Sequence, residues 1–480
     1  MEPLTWTGNL AFLNPLFLFA WAVLGVSIVA QIILSFFAPS AEMQGGALAA
    51  RRGPADMAAL AVKATTALIV LLLLIYVAGG MIMPGAPERG IIGQVSLQFL
   101  PVWIALIATF IVSIMFKRKL GLYGKLFDSP IGMIGFAIVM FWVFTAVFAD
   151  MITTHDPLAQ VSGMKNKVPG TATPESAEIY AFYLLGGDNL ARDVFSRMVS
   201  GAQTVIAIAP LATAFAFMVG ITLGLPAAYF GGRLDTLLTF LANLILAFPV
   251  ILLFYLLVTP EIVATGIPIY MAEVLFIFPV IFLGILLHSR FSIVGAKWIW
   301  FVVAAAFIIY ILMVADSGRL LLPFIGKLPI MPAAFDQIEV PPNLLVVFVS
   351  VVFVNSPTVF RIVRGIALDI KTRDYVAAGQ TRGEGPWYIM LWEILPNARG
   401  PLIVDFCLRI GYTTILLGTL GFFGLGLSPE SPDWGSTIND GRRLLSVYPH
   451  PALVPALSLM SLVLGLNLLA DGLREESLKD

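Results

Sequence analysis

Long apolar runs recur along this chain, and its polar and charged residues collect in the gaps between them. A helix of about 20 such residues crosses the roughly 30 Å hydrocarbon core of a bilayer with its backbone polar groups satisfied internally. The pattern predicts about eleven spans, at 12–37, 58–83, 96–116, 130–151, 201–229, 235–258, 270–288, 298–315, 344–363, 401–426 and 449–471. The expected fold is an all-α polytopic membrane protein.

Composition agrees: 59% of the 480 residues are hydrophobic and 12% charged, and the mean hydropathy is +0.94, beyond what a soluble domain carries on its surface. The formal net charge is −1 and basic residues form only short clusters, so nucleic acid is not an expected partner. The single cysteine, Cys407, lies in an apolar run and excludes an intramolecular disulfide and a cysteine metal site. The first apolar run lacks a basic leader and a cleavage site, and reads as a retained helix.

If the spans alternate, Arg51, Arg52, the Lys117 to Lys119 cluster, Lys125, Arg233, Arg290, Lys297, Arg364, Lys371, Arg373, Arg382 and Lys479 share one face. By the positive-inside bias that face is cytoplasmic, which puts the N-terminus outside and the C-terminus inside. Residues 38–56, rich in Ala, Gly and Arg, read as a linker. The composition break at 117–128 divides an N-terminal accessory bundle, 1–120, from a core, 121–480.

The stretch from Arg364 to Pro401 is too long and too regular for a connector. Thr372 suits a helix cap, with Asp374 in the first turn. Gly383 suits a helix end with positive φ, and Pro386 suits the start of a second short helix that stops before Pro396. The small residues Ala377, Ala378 and Gly379 allow a partner surface to approach closely. A hairpin that packs only on its own bundle is the plainer alternative.

This stretch resembles the EAA loop of ABC importer permeases, on Ala378, Gly379, Gly383 and the later Leu395, Pro396 and Asn397. It departs from that pattern at Ala377, where Glu is usual, at Gly379, where a second Ala is usual, and at Glu393, where His is common. Gly187 to Arg197 is similar to a segment, GTDxxGRD and then SR, of the dipeptide and oligopeptide branch. Ala227 to Asp235, with Gly231, Gly232 and Asp235, resembles its AGYFGGxxD turn. Ala247-Phe248-Pro249 matches its AFP, where Pro249 can bend a span. Gly424 to Pro429, Pro432 to Gly435 with Trp434, and Leu469 to Arg474 resemble three later elements. The resemblance runs from Phe127 to Asp480 and is to the C-type permease of those systems.

It implies a type I core of six helices, to which three N-terminal helices are added, and two more within 261–343. Two is an even number, so the insertion preserves the core's sidedness. It also implies half of a pathway for peptides or peptide-like solutes in a bacterial inner membrane. The implied partners are two ABC ATPase subunits that hold ATP and Mg, a homologous second permease, an extracytoplasmic substrate-binding protein and membrane lipid. The 374–397 loop is expected to transmit ATPase closure as a rigid unit. No catalytic residue and no cofactor are assigned to this chain, which has no phosphate loop; Gly121 to Leu126 lacks the required spacing and hydroxyl.

Weaker features complete the reading. His155, His288 and His450 are far apart and read as solvated or interfacial, so no metal is assigned. Asp405 and Arg409 read as an internal ion pair near the cytoplasmic end rather than a pore lining. Lys63 reads as snorkelling to the inner surface, and Gly220 with Gly224 suits a seat for the second permease. A secondary transporter needs inverted repeats or coupling-ion residues, and a membrane enzyme needs a clustered catalytic set; neither is evident.

Overall fold

The computed structural model describes residues 2–37, 54–174, 180–291, 302, 303, 305, 342–425 and 431–477. Most of the linker at 38–56, the predicted span at 298–315 and Gly426 to Pro429 lie outside the described residues.

Helices occupy the other ten predicted spans. Among the described residues eight helices are long and apolar enough to cross a membrane: Gly8–Phe36, Pro54–Ile82, Leu100–Lys119, Pro130–Val147, Val194–Phe230, Leu344–Lys371, Pro386–Phe422 and His450–Glu475. Gly232–Leu246 and Val250–Val258, bent by 81°, make a ninth if the pair crosses as one broken span rather than returning as a re-entrant loop. The tenth, Ile267–Phe291, carries a shorter apolar stretch, Tyr270–Leu286. The protein is a multi-pass, essentially all-α membrane protein, with one two-residue antiparallel pair, Thr171–Ala172 with Phe182–Tyr183.

Two compact units are present, each built from two stretches of chain. The first comprises Met1–Trp103 and Asp150–Ser196. Its helices Asn14–Phe37 and Pro54–Ile82 pack around Leu10, Leu72 and Tyr76, and the Tyr76 hydroxyl donates to Asn14 Oδ1 at 2.9 Å. The segment ahead of the first helix is tied down by Ile91 N–H to the Thr5 carbonyl (2.9 Å) and Ile92 N–H to the Trp6 carbonyl (3.0 Å).

The second unit comprises Ile104–Ala149 and Arg197–Asp480. Pro342–Lys371 is its central column and contains the most buried of the span helices. Lipid gives helices no hydrophobic incentive to associate, so close contact has to come from small residues. Gly220 and Gly224 supply it here: an added Cβ would lie 2.5 Å from Val359 and 3.0 Å from Val363. These two glycines therefore seat a helix of their own chain, not the second subunit the sequence suggested. Gly132 and Gly472 bring Pro130–Val147 against His450–Ser477 in the same way, and the Trp142 indole donates to Ser461 Oγ at 2.8 Å between them.

Candidate functional site

The hairpin forms, with two differences from expectation. Its first arm is Asp374–Thr381, but the N-cap is Arg373; the Thr372 hydroxyl instead turns back to the Asp369 carbonyl at 2.8 Å. Thr and Ser hydroxyls compete for carbonyls of the preceding turn in this way. The arm closes at Gly383, whose φ of +80° lets its N–H reach the Gln380 carbonyl at 3.0 Å.

The second arm starts at Pro386 as expected and does not stop before Pro396. It widens into a π segment, Ile389–Ile394, and continues into Leu395–Phe422. Pro396 has no amide hydrogen to give the turn before it, and π geometry is a way for a helix to pass such a point. Asn397 Nδ2 donates to the Glu393 carbonyl at 2.6 Å.

The arms divide their residues cleanly. Val376 and Gly379 are buried, with Ile389, Met390 and Ile394 packed below. Gly379 faces the hairpin's own interior, where a Cβ would sit in ordinary contact with Glu393, 3.6 Å away. Asp374, Ala377, Ala378, Gly383, Pro396 and Asn397 are exposed, as are Tyr375, Tyr388 and Trp387, the last 49% exposed. Leu395 is half-buried. Arg382 Nη2 donates to Glu393 Oε1 at 2.9 Å and spans the two arms. A cleft of about 540 Å³ lies beneath, with Asp369, Arg373, Tyr375 and Asn397 in its wall.

Two contacts hold the base, and sequence reasoning missed both because their members are far apart in the chain. Lys371 Nζ donates to the Ala228 and Tyr229 carbonyls at 3.3 and 2.5 Å, capping the C-terminus of Val194–Phe230. Arg364 forms a two-pronged ion pair with Asp235, with Nη2 to Oδ2 at 2.6 Å. Both cations figure in the sequence only as markers of sidedness. Gly231 and Gly232, at φ of +65° and +61°, make the reversal that brings Asp235 into position, and Pro249 sits at the 81° break.

A second motif folds inward. Trp434 is 1% exposed, donates from its indole to the Met198 carbonyl at 2.8 Å, and stacks edge-on against Trp142 with centroids 5.1 Å apart. Gly435 fits because a Cβ would lie 2.0 Å from the Gly418 carbonyl oxygen. Asp433 caps Trp434–Arg442 by accepting from Ser436 N–H at 2.9 Å. Buried Arg197 donates to Thr437 Oγ1 at 3.0 and 3.2 Å and to the Ser431 carbonyl at 3.3 Å. The sequence presents Ser196-Arg197 and Pro432 to Gly435 as separate signals; the fold joins Arg197 to the second.

The start of the Gly187 to Arg197 motif is a carboxylate-centred turn within the first unit. Asp188 accepts from the Leu190 and Arg192 amides and pairs with Arg192 Nε at 2.6 Å. Asp193 accepts from Thr154 Oγ1 at 2.9 Å and Ser196 Oγ at 2.7 Å. His155, expected to be solvated or interfacial, is buried and 3.5 Å from Asp193. Burial and the two aspartates push the nearby Tyr183 hydroxyl above the usual tyrosine range. Among the described residues no group of three metal-ligating side chains occurs.

A family model for the binding-protein-dependent transport system inner membrane component matches residues 220–475. The chain belongs to this family. The match takes in the glycine reversal, the Pro249 break, the hairpin and the Trp434 motif. Similar permeases include the dipeptide transport system permease protein DppC of Alkalihalophilus pseudofirmus, 25% identical over 74% of this chain and 87% of that protein. The glutathione transport system permease protein GsiD of Pectobacterium atrosepticum is 28% identical, over 61% of this chain and 70% of that protein. The probable D,D-dipeptide transport system permease protein DdpC of Escherichia coli K12 is 25% identical, over 72% and 87%. The protein is thus a permease component of a binding-protein-dependent transport system, and the relatives named here are permeases of dipeptide and glutathione systems.

In the permease Arg409 donates to Asp405 at 3.4 Å, the internal pair that the spacing of four predicts. Arg409 is the fifteenth of the 28 residues of Leu395–Phe422. Lining a cavity beside it are Asn355, Thr358, Tyr412 and Thr419.

Proposed function

We propose that this chain forms half of the translocation pathway of an ATP-driven importer for peptides or peptide-like solutes, and that the 374–397 hairpin is its docking surface for an ATPase subunit. The observation that carries the reading is the hairpin's sorting of its residues. Val376 and Gly379 anchor it while Ala377, Ala378, Tyr375 and Trp387 face outward on a base fixed by Lys371 and Arg364. A surface of small and aromatic side chains on a rigid support suits insertion into a partner's groove.

In this reading two ATPase subunits hold ATP and Mg, a homologous permease completes the pathway, and an extracytoplasmic binding protein delivers cargo. The chain lies in the inner membrane with its N-terminus outside, its C-terminus inside and the hairpin in the cytoplasm. Three N-terminal helices, and two within 261–343, are additions to a six-helix core. Dipeptides, D,D-dipeptides and glutathione, the cargoes named for the relatives, share a peptide bond and a free carboxylate.

The test replaces Ala378, exposed on the first arm, with arginine. Surface changes of this kind leave stability within about 0.5 kcal/mol. Co-purification of the ATPase subunits and ATP-driven dipeptide uptake in proteoliposomes are expected to fall at least roughly tenfold, the loss of about 1.4 kcal/mol of binding. Undiminished co-purification rules out the hairpin as the dock.

A further inference from the structure

A charged residue in the middle of a spanning helix is costly in lipid, and such residues face a partner or a water-filled cavity and mark the path of a solute. Arg409 meets this description. It is central in Leu395–Phe422, and its side chain is 15% exposed. It borders a cavity of about 430 Å³ whose wall also carries Asn355, Thr358, Tyr412 and Thr419, together with Val250, where the broken span resumes. Asn355 is likewise central, the fourteenth of the 30 residues of Pro342–Lys371.

The guanidinium is poorly satisfied by its own chain. Among the described residues its one hydrogen bond is the 3.4 Å contact from Nε to Asp405 Oδ2, at the long limit for such bonds. It also lies over the face of Tyr412, 5.9 Å from the ring centroid. The two terminal amino groups, the pair that grips a carboxylate in a fork, make no hydrogen bond among the described residues. Arginine stays protonated at any working pH. Behind it, Asn355 Nδ2 is held by Thr413 Oγ1 at 3.2 Å, and Thr413 in turn is bonded to Thr213 at 3.2 Å. That chain fixes the carboxamide in the cavity wall.

We infer that Arg409 and Asn355 form a mid-membrane way station for the cargo, in which the Arg409 fork receives a free carboxylate and the Asn355 carboxamide meets a peptide group. This rests on the peptide-importer reading above and adds the residues and the ligand chemistry. Asp405 gives the station its transience. A pathway site must bind well enough to admit a solute and weakly enough to release it, and a carboxylate already beside the guanidinium competes with the cargo's.

The experiment uses the whole importer in proteoliposomes, with its binding protein and ATPase subunits, and compares ATP-driven uptake of alanyl-alanine with that of its C-terminal amide. The readout is the ratio of the two rates. Because the binding protein is the same in every arm, a change in ratio belongs to the permease. Arg409→Gln is expected to lower the acid-to-amide ratio about tenfold, and Arg409→Lys, which keeps the charge but not the fork, about threefold. Arg409→Lys also guards against a failure of the glutamine variant to assemble. A ratio unchanged from wild type in the lysine variant and in an assembled glutamine variant overturns the way station and leaves the importer reading standing. A wild-type complex that takes up neither probe overturns the peptide reading and the station with it.

Discussion

The 374–397 hairpin and the 431–442 segment both carry strong sequence signals, and they use them in opposite directions. Around Trp434 the motif residues fill space: Gly435, Gly421 and Gly201 are glycine because a Cβ would fall 2.0 to 2.3 Å from the Gly418 carbonyl, Asp433 and Trp434 respectively. In the hairpin the motif residues leave space: nothing lies within 4 Å of a Cβ at Gly383 or Gly385. A glycine motif therefore has two physical meanings, close packing and backbone freedom, and only the surroundings distinguish them. The packed segment belongs to folding, while the displayed hairpin leaves its surface open, which is what the proposed docking needs.

The sharpest way to break this comparison is Trp434→Ala. It empties a fully buried aromatic site and removes the indole's hydrogen bond to the Met198 carbonyl, so a loss of about 3–5 kcal/mol is expected. The unfolding midpoint of the detergent-solubilised protein measures it, and a shift no larger than that of a surface mutation removes the distinction.

Gly383→Val comes next. With open space around the site the cost is that of a β-branched residue at positive φ, about 1–2 kcal/mol. Gly383→Asn should cost less, because asparagine tolerates the left-handed region. Equal losses in the two variants point to a steric origin that the open surroundings do not provide.

The smallest effect concerns Asp433. Burial raises its carboxyl above the usual aspartate range, against the hydrogen bonds from Ser436 and the charge of Arg197. The folded state keeps this proton to higher pH than the unfolded chain. Its contribution to stability is therefore present at low pH and is lost as pH rises through the raised value. Asp433→Asn should flatten that slope in unfolding midpoints taken between about pH 4 and 7, and an unchanged slope assigns it to another group.

Hydropathy placed ten helices because lipid forces every spanning segment to declare itself locally, in length and apolarity. Hairpin turns were legible for the same reason: Gly383 and Pro386 act on their own neighbours. What was not legible depends on partners far along the chain. Nothing local says that Arg364 meets Asp235, that Lys371 caps a helix ending near residue 230, or that Arg197 reaches Thr437. Gly220 and Gly224 misled because spacing gives a close contact without naming the partner. At Pro396 a rule that usually ends a helix was overridden by a π segment, whose Ile389, Met390 and Ile394 pack below the hairpin.

That continuity has a mechanical consequence. From Pro386 to Phe422 the helical path is 37 residues, about 55 Å at roughly 1.5 Å per residue. The helix runs on without a break from the second arm of the hairpin to the far end of the span, with the π segment Ile389–Ile394, Pro396 and Pro401 along it as the points where it can bend. A tilt of about 10° over that length carries one end about 10 Å relative to the other, so if the proposed docking turns the hairpin at Trp387, how far the movement reaches toward Arg409 depends on how stiff the helix stays at the π segment and the two prolines.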